Sequence, residues 1–369
     1  MSLSPRLDPA LRALGVHRVL EPSGSSTLPQ NAWRLDNTPV AAPDEMAVAV
    51  HALHIDSASF TQISRVCNGD TTQIAAHLLE IVRQRGKMHN PVTGSGGVLV
   101  GKVIGLPISP APAPDPATHP VQPKAALRQT VVSLTSLSWL PLHLERILAV
   151  HPAQARVDVE GTAIFFACNP FALLPDDLPE PLALAALDVA GAPSRAQALA
   201  RPGMRVVVLG AGGTAGLLTL CALRPVLGEG GHLLAIEYDE AACADIVSLG
   251  VADKVIRADA TNPIEMLTSV HAACGSDYLA DLAINVVNVP GTEFATILLT
   301  SPAGTTLFFS MATSFTTAAL GAEGLGRATV LQIGNGLMPD LGAVALHLLR
   351  EHAPLRAIFT RRFGAASPC

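Results

Sequence analysis

Apolar residues follow two different rhythms along this chain. Up to about residue 165 the pattern is irregular and reads as mixed strands and loops with one clear helix. That helix has Asp70 as its cap, Gln73 at the third position, Ile74, Leu78 and Ile81 on one face, and Gly86 as its stop. Just before it, "AVAVHALHIDSASF" reads as a strand running into a loop. Residues 107–123, "PISPAPAPDPATHPVQP", hold too many prolines for a ladder or a helix and predict a solvated surface loop. From Arg205 the rhythm becomes regular. "RVVVLG" is a continuous apolar run suited to a strand buried on both faces. "HLLAI", "DKVI", "LAINVV", "TTLFF" and "TVLQI" supply further strands, separated by helical stretches near 214–224, 263–273, 291–299 and 340–351. Strand alternating with helix predicts an α/β fold with a doubly wound parallel sheet.

Composition narrows the class. A chain of 369 residues suits two domains. The mean hydropathy of +0.39 is high, but no apolar run of about 18 residues escapes interruption, so no membrane span is expected. The opening "MSLSPRLDPALRALG" has no basic segment followed by an apolar one, which predicts no secretory signal and a cytoplasmic protein. Net charge −6 without a Lys/Arg cluster argues against nucleic acid and against an anionic membrane surface. The six cysteines are scattered with no C-x-x-C pair, and read as small buried hydrophobes, not as a zinc or disulfide framework.

"VVVLGAGGTAG" (206–216) follows a strand and opens a helix, the context that a dinucleotide fingerprint requires. Its glycines fit two registers: Gly210, Gly212 and Ala215, or Ala211, Gly213 and Gly216. The second puts a glycine at the final helix–strand contact and leaves Gly210 to end the strand. In either register, the turn residues Gly210, Ala211, Gly213, Thr214, Ala215 and Gly216 would bring pyrophosphate to the helix N-terminus, where unpaired N–H groups and the dipole favour an anion. Glu237 ends the next strand about 26 residues on, a little beyond the usual spacing of about 20. A carboxylate there bonds a ribose diol and repels a 2′-phosphate, so NAD is expected, with NADP as the alternative.

"GKMHNPVTGSGG" (86–97) places Lys87, His89 and Asn90 together in a chain only 15% charged, followed at once by small residues. A cleft loop, polar at one end and thin at the other, fits that pattern. A nucleotide-binding domain behind an N-terminal domain of strands and loops resembles the medium-chain dehydrogenase/reductase superfamily. Where the superfamily's zinc enzymes carry their ligands, this chain has Ser57 or Ser59, Ser95 and Asp188, so no catalytic zinc is expected. The segments "HNPVTGSGG", "IDSASFTQI", "LPDDLPEPLALAALDVAGAP", "FFSMATSFTTAALGAEGLG" and "IGNG" resemble, more specifically, the L-erythro-3,5-diaminohexanoate dehydrogenase family. The proline-rich 107–123 stretch and the following "KAALRQTVVSLTSLSWLPL", which lacks a Gly-Asp turn, depart from it.

That resemblance implies a mainly β, GroES-like catalytic domain over 1–165, a Rossmann domain over 166–352, and a return of 353–369 to the first domain. It also implies NAD(P)-dependent oxidative deamination of a small diamino acid. Asp188 then becomes the best-placed acid/base; Lys87 would be a base or a partner of the substrate carboxylate, and His89 a proton relay or donor. Ser57, Asn90, Ser95 and Glu323 are expected to bind substrate, with Glu323 holding the distal ammonium, and Ser310 and Met311 to touch the cofactor. A homodimer or higher homo-oligomer is expected. The rivals are a zinc-free quinone or enone reductase, which has no need of Asp188, and a cofactor-binding protein without turnover.

Overall fold

The computed structural model describes residues 8–23, 27–109, 124–334 and 341–364. The expectations for most of the proline-rich stretch, for the end of "IGNG" and for Cys369 lie outside these residues. The chain divides into two compact units, one ending at Glu180 and the next beginning at Pro181. The boundary therefore falls after 165, because Phe171–Leu173 still pairs into the first unit's sheet.

The first unit contains β1 (Val19–Glu21) and β2 (Arg34–Leu35), which pair with each other. Its main sheet is built from β3 (Met46–His54), β4 (Val98–Gly105), β5 (Thr130–Ser133), β6 (Leu142–His151), β7 (Arg156–Phe165) and β8 (Phe171–Leu173). The order is β6-β7-β3-β4-β5-β8, antiparallel throughout. Three helices accompany it: α1 (Pro9–Ala13), α2 (Ser57–Val66) and α3 (Thr71–Arg85). The helix expected after Asp70 is α3. Asp70 accepts from the N–H groups of Thr72 and Gln73 at 2.8 and 3.1 Å, and Gly86 ends the helix with φ 65°. Ile74, Leu78 and Ile81 turn inward with Val48, Leu53, Met88 and Leu99, each large aliphatic side chain contributing about 1.5–3 kcal/mol by burial. The expected loop at "DSASF" is instead α2. Asp56 caps it by accepting from Ser59 N at 2.9 Å, and Phe60 and Ile63, one turn apart, bury its inner face.

The second unit alternates as the sequence predicts. Its helices are α4 (Glu180–Asp188, from the boundary residue), α5 (Gly191–Leu199), α6 (Thr214–Leu227), α7 (Glu240–Leu249), α8 (Pro263–Cys274), α9 (Glu293–Leu299), α10 (Phe315–Gly324), α11 (Leu341–Glu351) and α12 (Ala353–Phe363). Its strands are β9 (Arg205–Leu209), β10 (His232–Glu237), β11 (Lys254–Arg257), β12 (Ala280–Asn285), β13 (Thr300–Phe308) and β14 (Val330–Ile333). They are parallel, in the order β11-β10-β9-β12-β13-β14. This is the doubly wound order, whose direction reverses between β9 and β12 and leaves a crevice beyond their carboxyl ends. Val206–Leu209 are wholly buried, as a strand covered on both faces must be. Helix α12 does not return to the first unit: Arg361 and Arg362 pair with Asp245 of α7. No helix among the described residues is long and apolar enough to cross a membrane, and the described cysteines are all free.

Candidate active site

In the first unit the 86–97 loop is fixed from several sides. Gly86 lies where a Cβ would stand 2.0 Å from the Leu35 carbonyl oxygen, and at Gly96 a Cβ would stand 2.2 Å from that of Met88. Asn90 holds the turn closed. Its Oδ1 accepts from Val92 N at 2.8 Å, its Nδ2 donates to Gln62 Oε1 at 2.9 Å, and its backbone N–H donates to the Ser95 carbonyl at 2.9 Å. Asn90 and Ser95 thus hold the loop's shape. Ser57 is exposed on the first turn of α2, whereas Ser59 is buried and bonds Thr93 Oγ1 at 2.5 Å. The capping Asp56 keeps its second oxygen, Oδ2, buried with no partner among the described residues.

Lys87 is fully buried. Its Nζ donates to the carbonyl oxygens of Pro29 at 2.5 Å and Gln30 at 2.9 Å, and no carboxylate among the described residues pairs with it. Burial, reinforced by the neighbouring Arg85 cation, pushes its pKa down to about 7. The same two influences, with Lys87 added, push half-buried His89 down to about 4. Arg85 stacks over the Trp33 ring at 4.1 Å, donates to the Trp33 carbonyl at 2.7 Å and reaches His89 Nδ1 at 3.3 Å. A neutral His89 accepting at Nδ1 carries its proton on Nε2. Gln30, which sequence pattern does not reveal, ties this cluster together. Its carbonyl holds Lys87, its Nε2 donates to the Gly94 carbonyl at 3.2 Å, and its Oε1 accepts from Ser138 Oγ at 2.7 Å.

In the second unit the glycine-rich turn sits beside the β9/β12 reversal. Gly210 adopts φ 77°, and a Cβ there would lie 3.0 Å from Val287 N. Gly216 is the close helix–strand contact: a Cβ would meet the Gly210 and Ala211 carbonyl oxygens at 2.4 and 2.5 Å. Gly213 caps α6, and the first-turn N–H groups of Thr214, Ala215 and Gly216 have no carbonyl inside the helix to bond. That cradle fits a dinucleotide pyrophosphate. Glu237 stands at the end of β10 as expected. Its Oε2 accepts from Gly212 N at 2.9 Å, and its Oε1 accepts from Tyr238 N at 2.8 Å and Asp239 N at 3.1 Å. Ser310 is buried after β13, accepting from Ala312 N at 3.1 Å, while Met311 beside it is exposed. Glu323 is exposed near the end of α10, and half-buried Asp188 ends α4. Asp188 does not cap α5, whose N-cap is Ala190. No group of three or more His, Cys, Asp or Glu among the described residues is arranged to hold a metal ion.

Two proteins from different organisms decide the family. The L-erythro-3,5-diaminohexanoate dehydrogenase of Acetoanaerobium sticklandii is 42% identical over 352 residues, covering 95% of this chain and 98% of its own. The enzyme of the same name from Fusobacterium nucleatum is 42% identical over 347 residues, covering 94% and 96%. The chain belongs to the L-erythro-3,5-diaminohexanoate dehydrogenase family. A model of that family's N-terminal domain matches residues 17–175, which covers the first unit's sheet. Membership makes the protein an oxidoreductase. Among solved structures, an alcohol dehydrogenase from Thermotoga maritima matches with TM-score 0.53 at 10% identity, covering 87% of this chain and 86% of its own. AibC matches with TM-score 0.51 at 15% identity, covering 85% and 83%. These likenesses show that the chain shares the fold of an alcohol dehydrogenase.

Proposed function

We propose that the protein catalyses NAD-dependent oxidative deamination of L-erythro-3,5-diaminohexanoate to 5-amino-3-oxohexanoate and ammonia, a step of lysine breakdown, in the cytoplasm. The observation that carries this reading is the 42% identity to enzymes of that name across nearly the whole of both chains. The balance is substrate R₂CH–NH₃⁺ + NAD⁺ + H₂O giving R₂C=O + NH₄⁺ + NADH + H⁺. A nicotinamide cofactor bound at the glycine-rich turn would supply the hydride acceptor for C3. Glu237, at the ribose end of the turn, supports NAD over NADP because a carboxylate there repels a 2′-phosphate.

The remaining chemistry is proton management. The ammonium must lose a proton before hydride can leave, and water must then add to the iminium carbon. We assign the base to the Lys87 cluster. A lysine titrating near 7 is partly neutral at neutral pH, and its two bonds to the Pro29 and Gln30 carbonyls survive deprotonation because a neutral amine still has two N–H donors. Neutral His89, held at Nδ1 by Arg85, offers its Nε2–H as a hydrogen-bond donor. Asp188, which the family resemblance sets beside the nicotinamide, receives the substrate ammonium and orients water. Glu323, exposed near the end of α10, is the acceptor for the distal ammonium.

The direct test mixes purified protein with L-erythro-3,5-diaminohexanoate and follows reduced-cofactor absorbance with NAD and with NADP. Rapid reduction, faster with NAD, supports the reading. Cofactor binding without reduction removes the substrate assignment and turns the test to quinones and enones.

A further inference from the structure

The peptide group between Gly212 and Gly213 is held at both ends. Its N–H, carried by Gly213, donates to the Gly210 carbonyl at 3.2 Å. Its carbonyl oxygen, on Gly212, accepts from Arg362 Nη1 at 2.8 Å. The preceding peptide N–H, that of Gly212, is held by Glu237. Two successive glycines would otherwise leave these planes the freest in the turn, and they lead directly into the N–H groups that face a pyrophosphate. The arginine is itself well anchored. Arg362 Nη2 donates to Asp245 Oδ2 at 2.6 Å, Arg361 donates to the same carboxylate, and Asp245 is largely buried on α7. Arg361 touches Asp245 but makes no bond to the turn.

We propose that Arg362 of α12 is a positioning residue for the dinucleotide site: its planar fork spans Asp245 and the Gly212 carbonyl and fixes the orientation of the Gly212–Gly213 peptide, so that the free N–H groups of α6 stay aimed at pyrophosphate. The guanidinium suits this because one plane presents two donors in a set geometry. A cofactor meeting a turn already in its bound shape has less ordering to do, and so binds more tightly. The inference rests on the nicotinamide reading of this turn but concerns a residue outside the fingerprint.

Titration of the purified protein with NADH, followed by the fluorescence of the bound dinucleotide, tests it together with steady-state kinetics. Arg362→Ala is expected to raise the NADH Kd and the NAD KM about tenfold, with kcat and the KM for the amine little changed. Arg362→Lys should recover only part of the loss, since a single ammonium cannot span both acceptors as the fork does. Arg361→Ala, which loosens α12 on α7 and leaves the turn contact intact, should bind NADH within about twofold of wild type. Equal losses in Arg361→Ala and Arg362→Ala would reduce Arg362 to helix docking and overturn the proposal. Wild-type affinity in Arg362→Ala would overturn it directly. If the wild-type protein binds neither NADH nor NADPH, the cofactor reading itself falls, an outcome separable from either of these.

Discussion

Lys87 Nζ lies 2.9 Å from the carbonyl oxygen of Gln30, and the side chain of the same Gln30 bridges Gly94 to Ser138. One glutamine therefore fixes both the buried amine and the far end of the loop that carries it. Because no carboxylate among the described residues pairs with the amine, its burial and the Arg85 charge prevail and lower its pKa. This geometry makes both activity and stability rise with pH, over adjoining windows.

For activity, the base form of Lys87 is the neutral one. With its pKa brought down to about 7, kcat/KM is expected to rise with pH through that region and level off above it. Lys87→Met should remove the inflection and lower kcat/KM by about 10²–10⁴-fold. A pH profile unchanged in Lys87→Met would take the residue out of the chemistry.

For stability, the folded pKa of Lys87 is below its ordinary 10.5, so the unfolded chain binds more protons between about 7 and 10.5. Folding is therefore penalised most below pH 7, on the order of 5 kcal/mol, and the penalty fades as pH rises to 10.5. Wild-type chemical denaturation should show stability gained over that window relative to Lys87→Met. Parallel curves for the two proteins would contradict the burial argument.

Glu45 gives the reverse sign. Burial alone would raise its pKa, but bonds from His17, Arg18 and the Ala42 N–H outweigh this and hold it at about 2. Its contribution is fully present above about pH 4.5 and is lost as pH falls toward 2. Glu45→Gln should flatten that acid limb and destabilise the protein at pH 7 by about 3–5 kcal/mol, since buried Arg18 would keep only its carbonyl partners and the 3.5 Å pairing with the partly exposed Asp36 carboxylate. An unchanged acid midpoint would show that this cluster does not set it.

Glu237→Gln is expected to weaken the preference for NAD and to lower the KM for NADP about tenfold, equivalent to about 1.4 kcal/mol. The amide oxygen can keep one backbone N–H bond, so the fold should persist. Cofactor kinetics with both dinucleotides check this; an unaltered KM ratio would mean that discrimination lies elsewhere.

At Gly216 an added methyl would meet two carbonyl oxygens at 2.4 and 2.5 Å. Gly216→Ala should push α6 off β9, costing about 1–3 kcal/mol and much of the affinity for NADH. Thermal unfolding and NADH titration measure the two effects, and retention of both would show that the helix can shift freely.

The second unit was legible because each of its signals is local. Val206–Leu209 form an unbroken apolar strand, Gly216 falls at the helix–strand contact, and Glu237 stands at the next strand's end. Helix α2 escaped because Asp56, Ser57 and Ser59 have the composition of a turn. Only the Phe60/Ile63 spacing, over barely one turn, points to a helix. Gln30 and Arg362 left no trace in the pattern. Gln30 acts on Lys87 from 57 residues away and Arg362 on Gly212 from 150, and no local period encodes such partners. The burial of Lys87 was equally invisible, since a lysine after a helix-ending glycine reads as a solvated residue. Only the folded chain shows that Pro29 and Gln30 enclose it.

The 150-residue separation between Gly212 and Arg362 also has a temporal side. During synthesis at about 5–20 residues per second, the glycine turn exists for roughly 8–30 seconds before its clamp has been made. Through that interval β9 and α6 are already available to one another, while the Gly212 carbonyl still awaits its donor. The nascent chain thus acquires the strand and helix of its nucleotide site well before it acquires the contact that holds the turn between them in one shape.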